Sequence, residues 1–250
     1  MIISEKWKYI FIGLPFCASS AISKELVEEY DGRAILGKHS NITDLISLGF
    51  DVSEYFIFAV YRDPLDMKFT QYTKITNNSH EAYTNPEYFV ENGGWVTKKA
   101  RKLYKHVQSK NLDFESFIKF SHKLPFDSVY SLNKKHLDYI VDFKDINNSF
   151  KECLRKIGIS PKRDLPSFNA TKKKNKNKTH VNEALVTRIF EPFYYYNGLS
   201  SSVKSISLHS AILFKTIQLF RFFVWKRRDL KRRSGSVAGN KDFLMNSKVN

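Results

Sequence analysis

Groups able to do chemistry cluster in a few short stretches of the chain. The richest is Lys8 to Glu25, KYIFIGLPFCASSAISKE. Here Cys17-Ala18-Ser19-Ser20-Ala21 follow a run of β-formers, Tyr9–Ile12. Gly13 and Pro15 interrupt that run, and a helical pattern begins at Ile22. Amides at a helix N-terminus have no intrahelical acceptor and carry partial positive charge, so they attract anions. Small residues let a phosphate approach the backbone, and the Ser19 and Ser20 hydroxyls add donors. The Walker pattern GxxxxGK[ST] is absent. Spacing alone therefore leaves two readings equally open, an ordinary strand–turn–helix junction and a phosphate cradle. Cys17 reads as a small residue filling a tight loop rather than as a nucleophile. His39 follows the short apolar run Ala34-Ile35-Leu36 and Gly37. It titrates near neutral pH and lies just past a candidate strand end, where ligands of open α/β sheets gather, so it is the best candidate for a general base.

A second stretch, Phe56–Tyr72, reads FIFAVYRDPLDMKFTQY and again runs from a strand through a charged turn into a helix. With this pair of units the chain resembles the sulfotransferases that use 3′-phosphoadenosine 5′-phosphosulfate (PAPS). Leu14–Ser20 takes the place of that family's first loop. Arg62-Asp63-Pro64-Leu65-Asp66 through Thr70-Gln71-Tyr72 takes the place of its second motif. Lys38-His39-Ser40-Asn41-Ile42 is similar to its KHxT segment, and Leu137–Ile146 to its later strand. Lys156–Ile159 is similar to the helix end that follows, and Leu165–Lys172 to its LPHINKSK loop. The likeness runs in order from about Lys8 to Gly198.

The resemblance implies an α/β fold. Its core would be a central, mostly parallel sheet flanked by helices, in the three-layer architecture of sulfotransferases and P-loop NTPases. It implies transfer of a sulfuryl group from PAPS to a hydroxyl acceptor, a carbohydrate in the first instance, without a metal. Backbone amides of Cys17, Ala18, Ser19, Ser20 and Ala21 would hold the 5′-phosphosulfate, and Arg62 with Thr70 the 3′-phosphate. His39 would be the base. Lys172 and Lys173 would belong to a flap over the nucleotide.

Three positions depart from the family pattern. Phe16 stands where the first loop has a Lys or Arg, Asp63 where the second motif has Asn, and Lys144 where the later strand has Glu. Losing the first-loop cation removes electrostatic stabilisation worth about 3 kcal/mol. Lys38 is the nearest replacement and is taken as a catalytic residue beside His39. Two alternatives stay open. One is a sulfotransferase-like protein that binds the nucleotide without turnover. The other is a membrane-surface or nucleic-acid binder acting through a basic tail.

The elements that must position these groups follow from the pattern. The 250 residues suit one α/β domain over 1–200, an amphipathic basic helix over 201–233 and a disordered tail over 234–250. Strands are expected at Tyr9–Ile12, Ala34–Leu36, Phe56–Tyr61 and Tyr139–Phe143. Helices are expected over Ser20–Tyr30, from a Thr43 cap, after Arg62, over Lys98–Gln108, from Asp113, over Asn148–Ile157 and over Val181–Phe193. The net charge of +16 lies mainly in residues 161–180 and 199–250, so a surface that is basic all over is excluded. The lysine run Lys172–Lys178 reads either as a solvated loop or as the flap. Two cysteines far apart make no disulfide framework and point to a reducing compartment. With no apolar leader in Met1–Lys8, a cytoplasmic location is expected. The tail lacks the ~20 apolar residues of a membrane span. Its pattern suits either contact with an anionic membrane or packing on the domain. No sequence-specific contact with nucleic acid is implied.

Overall fold

The computed structural model describes residues 1–166, 181–199, 203 and 205–233. In chain order these form β1 (Ile2–Ser4), β2 (Tyr9–Ile12), α1 (Ser19–Glu29), β3 (Arg33–Ala34), α2 (Ile42–Ile46), β4 (Phe56–Tyr61), α3 (Pro64–Thr76), α4 (Lys98–Lys110), α5 (Phe114–Ser121), α6 (Val129–Asn133), β5 (Tyr139–Asp142), α7 (Ile146–Ile157), α8 (Glu183–Asn197) and α9 (Leu208–Arg233). The chain is α/β and divides into two compact units. Of the described residues, one comprises 1–62, 127–166 and 215–233, the other 63–126, 181–199, 203 and 205–214.

The first unit holds a five-stranded mixed sheet in the order β3-β1-β2-β4-β5. β2 pairs parallel with β4, and β4 with β5. β1 runs antiparallel to both β2 and β3. Tyr9–Ile12 is therefore the central strand, as a continuous apolar run demands, and all four residues are fully buried. Alternation along the strands decides which helix covers which face. Tyr9, Phe11 and the register partner of Phe11, Phe58, share one face, with Phe11 and Phe58 ring centroids 5.2 Å apart. On that side the Tyr9 hydroxyl donates to Tyr30 O at the end of α1, and Tyr30 meets Phe150 of α7. Tyr61 points the other way, to Tyr130 of α6.

The sheet has two parallel and two antiparallel pairings where a mostly parallel one is expected, and four local expectations are corrected as well. β1 was not expected, because three apolar or small residues ahead of Glu5-Lys6 are too short a run to signal a strand. The strand expected at Ala34–Leu36 is Arg33–Ala34, since Leu36 is in the left-handed region (φ 54°) and cannot extend a ladder. α2 begins after Asn41 rather than at Thr43. The Asn41 amide donates to the Asp44 carboxylate, the acid three residues on that Thr43 lacks. At the other end of the chain α8 runs past Phe193 to Gly198, whose φ of 62° closes it.

The second unit is helical and aromatic. Tyr72 of α3 packs on Phe114 and Phe117 of α5, and its hydroxyl donates to Leu112 O. Phe126 packs on Phe190 and Phe193 of α8 and donates its amide to Ile189 O.

In the first unit, α2 is tied to α6 by one buried amide. Asn133 is fully buried. It accepts from the Ile42 amide (2.9 Å) and donates to Val129 O (2.8 Å) and Asn41 Oδ1 (3.3 Å). Replacing it by Leu keeps the volume but strands these groups, at a cost of about 1–3 kcal/mol. Asn133→Leu is expected to lower the urea midpoint by that cost divided by the slope, with the slope itself unchanged. An unshifted midpoint would show that the amide does not hold α2.

Candidate functional site

The candidate site is the turn between β2 and α1 together with the two segments that converge on it. Gly13 ends β2 where no side chain fits: a Cβ there would lie 2.7 Å from Lys38 O and 3.2 Å from Ser19 Cβ. Beyond it the chain twists through two left-handed residues, Phe16 (φ 62°) and Ala18 (φ 51°). Ala18 is also the N-cap of α1 and supplies no side-chain cap, and no acidic residue lies in the first turn. Local repulsion therefore does not oppose an anion at this end, and the amides of the first turn lack an intrahelical acceptor.

Three groups reach the turn from elsewhere in the first unit. Arg62, directly after β4, donates through Nη1 to Phe16 O (2.7 Å), and its guanidinium lies 4.1 Å from the Phe143 ring centroid. Lys38 donates through Nζ to Ser20 Oγ (2.6 Å). His39 places Nδ1 2.7 Å from Gly13 O. A carbonyl only accepts, so Nδ1 carries the proton, and Nε2 of the neutral ring keeps its lone pair. The His39 pKa lies below its usual value. Partial burial of the ring is the main cause and the nearby Lys38 and N-terminal charges add to it, while the Gly13 bond works in the opposite direction.

The remaining expected residues are placed as follows. Cys17, Ser19 and Ala21 are buried in the turn and first helical turn, while Ala18 and Ser20 are half-buried. The Cys17 thiol donates to Pro15 O, and burial pushes its pKa up to about 12 against the opposing pull of Arg62. It fills the loop and is not an activated nucleophile. Thr70 is buried on α3 in the second unit, whereas Arg62 belongs to the first. Lys172 and Lys173, with the expected flap, lie outside the described residues.

One of the three departures has a visible local role. Asp63 caps α3 by accepting from the Asp66 amide (3.0 Å), and it also accepts the Tyr194 hydroxyl (2.7 Å). Lys144 is exposed, and its amide donates to Asp142 Oδ1. Sequence reading missed Glu25, which is 1% exposed on α1 and takes a forked contact from Arg163 (Nη2 to Oε2, 3.0 Å). The available signal was its place three residues after Ile22 and next to Leu26, on the helix's apolar face. The pairing fixes the backbone near Arg163 onto α1, aided by the Lys162 amide donating to the Tyr30 hydroxyl.

An open cleft of about 1010 Å³ lies at the opposite ends of the same strands, among Glu5, Lys8, Arg33, Glu54 and Tyr55. Its charges pair with one another, as in Arg33–Glu5 at 3.0 Å. Ligands of open α/β sheets bind at the carboxyl ends of parallel strands, which is where the β2–α1 turn lies.

The turn predicts the behaviour of the thiols. Cys17 and Cys153 are both buried, and burial raises both pKa values. At pH 8 the native protein is expected to react negligibly with a disulfide reagent, and denaturant should release two thiols. Fast labelling of Cys17 in the native protein would mean that the turn opens. No family model, curated protein or solved structure matches the chain.

Proposed function

We propose that the protein is a sulfotransferase that moves a sulfuryl group from PAPS to a hydroxyl acceptor, in the first instance a carbohydrate. One observation carries the reading. Arg62, Lys38 and His39, from separate segments, are all hydrogen-bonded onto the single turn that leads from β2 into α1. An ordinary strand–turn–helix junction has no need of two cations and a neutral imidazole at its crest. The order of motifs resembling the family supports the same reading. So does the parallel β2-β4-β5 arrangement, which suits a three-layer P-loop-type core.

In this reading the amides of Cys17–Ala21 hold the 5′-phosphosulfate and Arg62 holds the 3′-phosphate. His39 Nε2 takes the proton of the acceptor hydroxyl as the new S–O bond forms. The bond from sulfur to the phosphate oxygen breaks, and 3′-phosphoadenosine 5′-phosphate (PAP) departs with the bonding pair. Lys38 supplies the positive charge that Phe16 does not, from a different segment but at the same helix turn.

Calorimetry is the first test. Wild type is expected to bind PAP clearly more tightly than adenosine 5′-phosphate. Arg62→Ala should remove that preference at a cost of about 2–4 kcal/mol, the usual effect of deleting one partner of a charged pair. Equal affinity of wild type for the two nucleotides sinks the assignment without reference to any variant.

Turnover with labelled PAPS and a glycan panel is the second. Phe16→Lys is expected to raise the rate, and His39→Ala to abolish the general-base contribution of about 10²–10⁴-fold. The lowered His39 pKa keeps the ring neutral at pH 7, so kcat/KM should fall only as pH drops through a value below 6.5. A midpoint above 6.5, or an acid limb that survives His39→Ala, would assign the base elsewhere. The presence of Phe16 favours one other reading, a nucleotide-binding protein without turnover. Intact PAP binding with no transfer in any variant would select it.

A further inference from the structure

The last helix buries Phe214 in its earlier part, but over 219–224 it carries exposed apolar residues. Within that stretch Arg221 is the residue that turns inward: Nη1 lies 3.2 Å from Asp127 Oδ2, and Nη2 donates to Asp127 O (2.9 Å). At about 100° per residue, Leu219 and Phe223 lie about 160° around the helix from Arg221. These two are 57% and 55% exposed, and Phe220 and Val224 beside them 69% and 51%. A helix that merely packs on a domain shows the reverse pattern, apolar inward and charged outward. A contiguous exposed apolar patch marks an interaction surface.

The sequence immediately beyond the patch narrows the partner. Residues 226–233 hold six Lys or Arg and one acid, Asp229. A second copy docking on the same patch would bring two such basic runs together. Nucleic acid would satisfy the basic run but leave Leu219 and Phe223 in water. An anionic lipid surface satisfies both, taking the apolar side chains into the acyl boundary and the basic residues among the headgroups. Among the described residues no helix is long and apolar enough to cross a membrane, so the contact is one of lying on the surface. We infer that the Leu219–Val224 face of α9, with the basic run after it, docks the protein onto anionic membranes. The inference is independent of what the β2–α1 turn binds.

Flotation of the full chain with vesicles tests it. At about 0.1 M salt, retention on phosphatidylcholine vesicles carrying 30% phosphatidylserine should exceed that on pure phosphatidylcholine by about tenfold or more. It should decline as salt rises to about 0.5 M, where screening shortens the reach of the charges. Leu219→Ser with Phe223→Ser alters exposed positions and is expected to leave the melting temperature unchanged while abolishing retention. Lys226→Gln with Arg227→Gln and Arg228→Gln should do the same by removing the charge. Unchanged retention of either variant overturns the inference, as does equal retention on the two kinds of vesicle. Two further results reassign the face. A wild-type dimer in ultracentrifugation that the Leu219/Phe223 variant abolishes points to a second copy. Duplex DNA that competes the protein off the vesicles points to nucleic acid.

Discussion

The arrangement of the first unit depends on a missing side chain. The backbone of Lys38 passes so close to the end of β2 that a Cβ at residue 13 would lie 2.7 Å from Lys38 O. Only glycine admits that approach without moving backbone. The approach brings the 37–39 segment alongside the turn that opens α1, and both functional contacts of that segment follow from it. His39 reaches Gly13 O, and Lys38 reaches Ser20. The segment is held in turn from its other side. The Gly37 amide donates to Ser40 Oγ, and α2 begins two residues later under the control of Asp44 and Asn133. A chain of short contacts thus fixes a partly exposed histidine that would otherwise have a free choice of rotamers.

The turn itself is held under strain. Phe16 and Ala18 occupy the left-handed region, each costing roughly 1 kcal/mol or more for a residue with a Cβ. Two features oppose relaxation. Arg62 binds the Phe16 carbonyl, and Cys17, between the two strained residues, is buried. No side chain of Ala18 occupies the first amides of α1. A capping Ser or Asp at residue 18 would satisfy one of those amides and would put its own oxygen where an anion could bind. Alanine at the cap costs helix stability and leaves the end of the dipole uncovered.

The sheet was legible where hydrophobic runs were long. Tyr9–Ile12 and Phe56–Tyr61 each carry an unbroken apolar or aromatic run, and they form the neighbouring parallel strands at the sheet's centre. Ile2–Ser4 was not legible, since its place in the sheet comes from pairing with β2 and β3, a tertiary effect. The limit of the strand at Ala34 was hidden too, because nothing in Ile35-Leu36 announces a left-handed leucine. In the candidate site, the small residues and the histidine could be read from residue types and spacing. The contacts of Arg62 with Phe16 O and of Arg163 with Glu25 span 46 and 138 residues and leave no local pattern. Glu25 in particular reads as one of three acids in α1, yet it is the buried one, and only its helical phase distinguishes it.

Phe16 and Lys38 bear on the same electrostatic problem from different directions. A cation carried by the first loop moves with the loop, so its charge is present whenever the turn is formed. A cation delivered by Lys38 is present only when the 37–39 segment is packed on Gly13. The same packing lowers the His39 pKa, because it partly buries the imidazole and brings Lys38 near it. Charge for an incoming anion and a neutral imidazole beside it are therefore produced by one contact. An anion held at the α1 terminus would offset the repulsion from Lys38 and let the His39 pKa rise toward its usual value. The imidazole would then accept a proton more readily once the anion is in place, which is the order that abstraction from a second substrate requires. Phe16 leaves that coupling intact, since an uncharged residue in the loop adds no further repulsion to His39.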